Sequence, residues 1–155
     1  MKRLLSGLLF LLLSSTVLAQ EATTASGWTL LDQFDKPYTA NAELRIVLIA
    51  RDMTGSKLVK SALDGRPAGY LEARHGVFVA DISRMPGAIS AMFAVPAMRD
   101  YSYRVLLDRD ARIATRFSAQ PEVVTWLQVE QGRVVDTRRF DNAEALRQAL
   151  ERGTL

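Results

Sequence analysis

The sequence predicts a mixed α/β domain in which one sheet is sandwiched by helices. Apolar, β-branched runs of strand length alternate with segments of helical periodicity through most of the chain. Two further strand-like runs near the C-terminus are joined by a tight turn at Gly132 and followed by a closing helix. The alternation predicts a parallel central sheet, and the terminal hairpin adds antiparallel strands to it.

Residues 1–19 have the pattern of a secretory signal peptide. Lys2 and Arg3 precede an apolar run, and compact residues end at Ala19, where cleavage is expected. The run is shorter than the ~20 residues that span a bilayer, so we favour export over an uncleaved anchor and expect no stable membrane insertion. Residues 20–27 are small and polar and are expected to form a flexible leader. A single domain would then occupy residues 28–153.

The composition excludes several classes of site. The 155-residue chain has no cysteine and a single histidine, His75, which is expected to be exposed in a loop. Disulfides, thiolate catalysis, cysteine ligands and multi-histidine metal sites are therefore excluded, and we expect no metal and no cofactor. The formal net charge is +3, and the basic clusters are short and mixed with acids. Nucleic-acid binding is not expected from such a pattern.

The first part of the domain is predicted to form an edge hairpin, a buried strand and a helix. Residues 28–40 alternate weakly around a turn signal. Residues 45–50, RIVLIA, form a continuous apolar run that is typical of a strand covered on both faces. Asp52 or Thr54 can cap the helix that follows, and Gly65 is expected to end it.

The middle of the domain is predicted to add two strands and a methionine-rich helix. The strands cover residues 77–81 and 103–107, and the helix between them begins at Ser83 and ends at Pro96. The apolar face of the helix, which we assign to the core, consists of Met85, Ile89, Met92 and Phe93. A flexible partner-binding surface is the alternative. Met98, beyond the proline, is expected to be the most exposed methionine.

The last third begins with a turn and a short helix that extends through Phe117. Asp108 and Asp110 lie in this turn, and we attribute them to turn chemistry rather than to a metal or glycosidase pair. The hairpin over residues 123–140 and a last helix opened by Asp141 complete the domain.

Three stretches together resemble the peroxiredoxin (AhpC/TSA) branch of the thioredoxin superfamily. LLDQFDKPYTA (30–40) resembles its opening hairpin, YRVLLDRDARIATRF (103–117) its strand and aspartate turn, and TWLQVEQGRVVDTRRF (125–140) its final hairpin. The chain looks most similar to the small, cysteine-free periplasmic members of that branch, of the YtfJ-like type. The resemblance implies a thioredoxin-like fold and, with the signal peptide, a periplasmic address; secretion is the alternative.

The resemblance also places the peroxidatic cysteine of the family near Ser56, where this chain has none. A serine hydroxyl ionises far above neutral pH and does not cycle through a sulfenic acid. Thiol peroxidase and disulfide oxidoreductase activities are therefore excluded. The family often has a cis-proline opposite this position, and Pro121 is the candidate, with both the cis and the trans bond left open.

The candidate site is the junction where the strand over residues 45–50 meets the following helix. The crevice beyond the carboxyl end of such a strand is the usual ligand position, and a helix start offers N–H groups to an anion. The residues expected to form a groove for a peptide, a protein partner or a small anion are Arg51, Asp52, Thr54, Gly55, Ser56, Lys57, Met98, Gln120 and Pro121. A capped helix start with solvated charges is the alternative, and no residue is assigned a catalytic role.

Two functions of different classes remain open from the sequence, and a stability or envelope-assembly factor without a small ligand cannot be separated from the first of them. The leading hypothesis is an exported binding module that lacks thiol redox activity. The rival is a hydrolase- or transferase-type enzyme that uses Ser56 or Asp52 with Lys57. Such chemistry requires a close contact between nucleophile and base, so side chains that point away from each other would remove its basis.

Overall fold

The computed structural model describes residues 23–153, and the predicted signal peptide lies outside the described residues. The strands are β1 (Thr29–Asp32), β2 (Pro37–Thr39), β3 (Ile46–Ala50), β4 (Gly76–Asp81), β5 (Val105–Asp108), β6 (Val124–Glu130) and β7 (Arg133–Phe140). The α-helices are α1 (Met53–Leu63), α2 (Gly87–Ile89), α3 (Val95–Met98), α4 (Arg112–Arg116) and α5 (Ala143–Arg152). A 3₁₀ turn covers Glu72–Arg74, and a π-helical turn, Ser90–Ala94, joins α2 to α3.

All seven strands form one mixed sheet in the order β2-β1-β5-β4-β3-β6-β7. The central strands β5, β4 and β3 are parallel to one another, whereas β1 and β6 run antiparallel to their inner neighbours. The β1–β2 and β6–β7 hairpins form the two edges. The predicted mixed sheet with a terminal hairpin and a closing helix is confirmed.

The central strand β3 separates two buried layers. Ile46, Leu48 and Ala50 pack with residues of α1 and α5 on one face, and Val47 and Ile49 pack with residues of α4 on the other. All five side chains are completely buried, as the unbroken apolar run predicts. The carboxyl end of β3 is thereby fixed from both sides, and α1 begins three residues after it.

The methionine-rich segment over residues 83–98 differs from the prediction. Ile89, Met92 and Phe93, assigned to the core, are 48%, 67% and 61% exposed, whereas Met98, expected to be exposed, is buried. Both assignments are wrong. Ser83 does not cap the helix either, since α2 begins after Pro86, which makes no side-chain cap.

The π-helical turn explains this difference. A π-helical turn forms i→i+5 hydrogen bonds and thus contains one residue more than an α-helical turn. The extra residue changes which of the following side chains face the core. Ser90 and Val95, five residues apart, are both buried, and Met98 follows on the same face. Pro96 does not end the helix: it follows the π-helical turn directly as the second residue of α3, and the backbone stays helical on both sides of it.

The bounds of one strand and the cap of one helix also differ from the prediction. The third parallel strand is Val105–Asp108 rather than 103–107, and the last helix is capped by Asn142 rather than Asp141. The Asn142 side chain accepts hydrogen bonds from the N–H groups of Glu144 and Ala145 at 2.8 and 3.0 Å, which satisfies two donors of the first turn.

The end of the predicted leader, residues 23–27, is held against the domain. Thr24 forms an antiparallel bridge with Arg133 of β7. Ala25 is completely buried, and the indole N–H of Trp28 donates to its carbonyl at 2.8 Å. Ordered contacts therefore begin before residue 28. Across the described part of the chain, none of the helices has the length and apolar character that crossing a membrane requires.

Candidate functional site

Asp52 ties the start of α1 to the loop before β6. It is the N-cap of the helix: its Oδ1 accepts from the N–H of Gly55 at 2.9 Å, and its Oδ2 accepts from the N–H of Glu122 at 2.7 Å. Of the two predicted caps, Asp52 is thus the one used. Its carboxylate already lies at the positive end of the helix dipole, so an anion bound at the helix start would lie beside a negative charge.

Gly55 fixes the distance between α1 and the sheet. A Cβ atom at this position would lie 2.7 Å from the carbonyl oxygen of Val123 and 3.1 Å from the Cβ of Ala50. Only glycine permits so close an approach of the helix to these two backbones. The first turn of α1 is therefore pressed against the end of β3, which places the residues on either side of Gly55.

An ion pair joins the carboxyl ends of β3 and β4. The Nε of Arg51 lies 3.4 Å from the Oδ2 of Asp81, and its Nη1 donates to the carbonyl of Ala119 at 3.3 Å. The side chain of Asp81 is 1% exposed, and its Oδ1 accepts from the N–H of Ser83 at 3.0 Å. The pair forms a polar wall in which both oxygens of the buried carboxylate are engaged.

A groove with a cavity volume of about 360 Å³ opens beside this ion pair, and we call it the junction groove. It lies between the start of α1, the end of β4, the segment over residues 82–101 and Pro121. Its apolar walls include Met53, Phe78, Ile82, Met85, Met98 and Tyr101. Its polar lining consists of Arg51, Asp52, Ser56, Asp81 and Arg84.

The structure brings some of the predicted site residues together and leaves others outside. Those that line the junction groove are Arg51, Asp52, Ser56, Met98 and Pro121. Thr54 and Lys57 are exposed and do not line it. Gly55 is buried against Val123, and the side chain of Gln120 donates to the carbonyl of Ser118 at 3.1 Å.

Several groove residues were missed by sequence reasoning. Arg84 and Met85 follow β4, a parallel neighbour of β3, and the carboxyl ends of neighbouring parallel strands meet at the same edge of the sheet. That rule would have placed them beside Arg51. Met53, in the first turn of α1, also lines the groove and was not among the predicted site residues. No sequence signal points to Tyr101, which reaches the groove from the end of the segment that contains the π-helical turn.

The loop over residues 120–122 offers no free N–H group to a ligand. The N–H of Gln120 approaches the Oγ1 of Thr125 at 3.4 Å, and the N–H of Glu122 is bound by Asp52. Pro121 has no N–H, and its peptide bond is trans, like all the others in the described residues. Pairing of an extended chain through the donors of this loop is therefore not supported.

Ser56 lies in the junction groove without a base beside it. Lys57, its partner in the enzyme hypothesis, is exposed outside the groove. Asp52 also lines the groove, but both of its oxygens are bound by backbone N–H groups. Within residues 23–153 no group of three or more histidine and acidic side chains is placed to hold a metal ion.

A shallower recess of about 450 Å³ adjoins the junction groove and shares Ala97 and Tyr101 with it. The rings of Tyr101 and Tyr103 stack in this region, with centroids 5.1 Å apart. Burial, and to a lesser extent the neighbouring Tyr101, raises the pKa of Tyr103 above its usual range, so its hydroxyl stays protonated. The recess extends the aromatic surface at the edge of the groove.

No family model matches the sequence, and no curated protein matches it significantly. Solved structures do. A proposed protein disulfide isomerase from Bacteroides thetaiotaomicron superimposes with a TM-score of 0.58 at 14% identity, covering 84% of this chain and 86% of its own. For the peroxidoxin BcpB from Mycobacterium tuberculosis the TM-score is 0.53 at 17% identity, with 84% and 96% covered.

A secreted disulfide oxidoreductase from Mycobacterium tuberculosis, homologous to E. coli DsbE, gives a TM-score of 0.51 at 12% identity, with 81% of this chain and 95% of its own covered. At such identities the likeness shows the fold. The chain has a thioredoxin-like fold of the kind found in peroxiredoxins and DsbE-type proteins, as the sequence resemblance implied. It differs from redox proteins of this fold in having no cysteine.

Proposed function

We propose that the protein is an exported binding module of thioredoxin-like fold, without thiol redox activity, and that the junction groove is its binding site. The observation that carries this proposal is a largely apolar cavity of about 360 Å³ at the carboxyl ends of β3 and β4. Small-molecule sites have volumes of roughly 300–1,000 Å³ and are usually apolar with a few polar groups. Export rests on the signal peptide of the sequence.

Recognition in the groove is by burial of an apolar group. The carboxylate of Asp52 lies at the helix start, where an anion would meet its negative charge, and the donors of the loop over residues 120–122 are engaged, so an extended main chain finds no free N–H group there. Apolar burial stabilises a complex by roughly 25 cal/mol per Å². Met53, Met85 and Met98 supply adaptable walls for such a group.

The alternative of hydrolase- or transferase-type chemistry gains no support from this geometry. It required Ser56 or Asp52 to act with Lys57, and Lys57 lies outside the groove. A nucleophile that is not activated by an adjacent base is weak at neutral pH.

Filling the groove is expected to abolish binding of a neutral apolar probe. Ala97 lines both the groove and the adjoining recess and is itself exposed, so Ala97→Trp adds an indole at the edge of the cavity without displacing a core side chain. We expect wild-type protein to bind N-phenyl-1-naphthylamine saturably at one site, and the variant to bind it at least tenfold more weakly, a difference of about 1.4 kcal/mol. Fluorescence titration measures both affinities.

Ala145→Trp is the matched control. Ala145 is exposed on α5 and does not line the groove, so this variant should bind the probe like the wild type. Equal affinity of the Ala97→Trp variant and the wild type, or an absence of saturable binding to the wild type, would rule out the junction groove as a site for apolar ligands.

A further inference from the structure

We propose that the ligand of the junction groove is an anionic amphiphile, a long-chain carboxylate whose alkyl chain lies along the apolar walls and whose head group binds Arg84. This proposal rests on the proposed function, since it takes the groove to be a binding site. It adds the chemical class of the ligand, and three features of the groove support it.

The first feature is the imbalance of its hydrogen-bonding groups. Each of the four carboxylate oxygens in the lining is engaged: those of Asp52 by the N–H groups of Gly55 and Glu122, those of Asp81 by Ser83 and Arg51. The groups left for a ligand are the guanidinium of Arg84, which only donates, and the hydroxyls of Ser56 and Tyr101, which donate and accept. The balance of these free groups favours a ligand rich in acceptors.

The second feature is the charge. Arg51 is neutralised by Asp81, whereas Arg84 forms no ion pair and no side-chain hydrogen bond with any of residues 23–153. Asp52, the other charge of the lining without a counter-ion, is bound by two backbone N–H groups at the start of α1. Arg84 is thus the one charged group of the lining with neither a counter-ion nor a hydrogen bond among residues 23–153. The planar guanidinium matches the two oxygens of a carboxylate in a fork geometry. The lining therefore calls for a single anionic group on an otherwise apolar ligand.

The third feature is the apolar surface at the groove and beside it. Met53 lines the groove and is 55% exposed, and Met92 and Phe93, the two residues before the lining residue Ala94, are also largely exposed. Unbranched methionine side chains adapt to an unbranched alkyl chain, and Met53, Met85 and Met98 supply three of them in the lining itself.

The test compares ligands that share one alkyl chain. Dodecanoate, dodecanol and dodecyltrimethylammonium are each titrated, below their micelle concentrations, against the protein loaded with N-phenyl-1-naphthylamine. Wild-type protein is expected to bind dodecanoate roughly fivefold more tightly than dodecanol, because an exposed ion pair contributes up to about that factor. The cationic amphiphile is expected to bind most weakly.

Arg84→Gln should remove the roughly fivefold preference for dodecanoate and leave the affinity for dodecanol unchanged. Arg109→Gln removes the same charge from an exposed residue that does not line the groove, and should retain the preference. Equal binding of dodecanoate and dodecanol by wild-type protein would overturn the amphiphile proposal while the groove remained a binding site. A failure of the neutral probe to bind would instead overturn the proposed function and this inference together.

Discussion

Asp108→Ala is expected to lower the free energy of unfolding by about 4 kcal/mol, the largest effect of any substitution considered for this protein. Asp108 is completely buried at the end of β5. Its two oxygens accept hydrogen bonds from three backbone N–H groups of α4, those of Arg112, Ile113 and Ala114, at 2.9, 2.8 and 2.9 Å. The N-cap position of α4, Ala111, supplies no side-chain cap, so Asp108 alone satisfies these donors.

Removing the carboxylate leaves these donors in a largely buried place, where each unsatisfied group costs roughly 1–3 kcal/mol. Asp110→Ala is the matched control, because Asp110 lies two residues further along the same turn and is exposed. Urea denaturation measures both variants. A loss below 1 kcal/mol for Asp108→Ala, or equal losses for the two variants, would contradict the assigned role of this carboxylate.

Gly55→Val is expected to destabilise the protein by about 3 kcal/mol. The new Cβ would lie 2.7 Å from the carbonyl oxygen of Val123. Because this oxygen is a backbone atom, it cannot rotate away from the clash as the end of a flexible side chain could. Alanine would be a weaker test, because replacing glycine by alanine in a helix gains about 1 kcal/mol of helix propensity, which offsets part of the cost of the clash. Valine lacks most of that compensation because its β-branched side chain loses rotamer freedom in a helix.

The consequence for function is as important as the loss of stability. A helix α1 that moves away from Val123 also moves Met53 and Ser56, so binding of the neutral probe should weaken in the same variant. Gly87→Val is the control for the substitution itself, since a Cβ at Gly87 meets no atom within 4 Å. A Gly55→Val protein as stable as the Gly87→Val protein would show that the close approach of α1 is not needed.

Elements with a strong local signal were predicted well. The run over residues 45–50 is apolar at almost every position, a pattern that only a strand buried on both faces explains, and β3 proves to be completely buried. Asp52 was one of two predicted caps, with Thr54, from its place before a helical pattern, and it is the one used. In both cases the sequence signal lies within a few residues, although the contacts that bury β3 and the second hydrogen bond of Asp52 come from distant segments.

Prediction failed where the deciding feature has no local signature. Met92 and Phe93 have the spacing of an ordinary core face, but the π-helical turn rotates the helix, so that Ser90, Val95 and Met98 face the core instead. Nothing in the spacing of apolar residues announces that extra residue.

The candidate site was predicted in outline rather than in detail. Residues directly after β3 were predicted because ligands usually bind beyond the carboxyl end of a strand, and one such strand end can be recognised in the sequence. Arg84 and Tyr101 reach the groove from other segments, and only the three-dimensional packing brings them to Arg51. The loss of Lys57 and Thr54 from the site has a simple cause: on a helix, successive residues face different directions, so only part of the first turn lies towards the groove.

The most direct measurement of the central claim, that the junction groove binds an apolar ligand, is an NMR titration of protein labelled at its methionine methyl groups and backbone amides. On addition of N-phenyl-1-naphthylamine, the methyl signals of Met53, Met85 and Met98 should shift saturably, since all three side chains line the groove. The amide of His75, beside the cavity of about 190 Å³ lined by Tyr38 and Glu72, should stay unchanged. Unchanged methyl signals, with shifts around His75 instead, would contradict the account and move the binding site away from the junction groove.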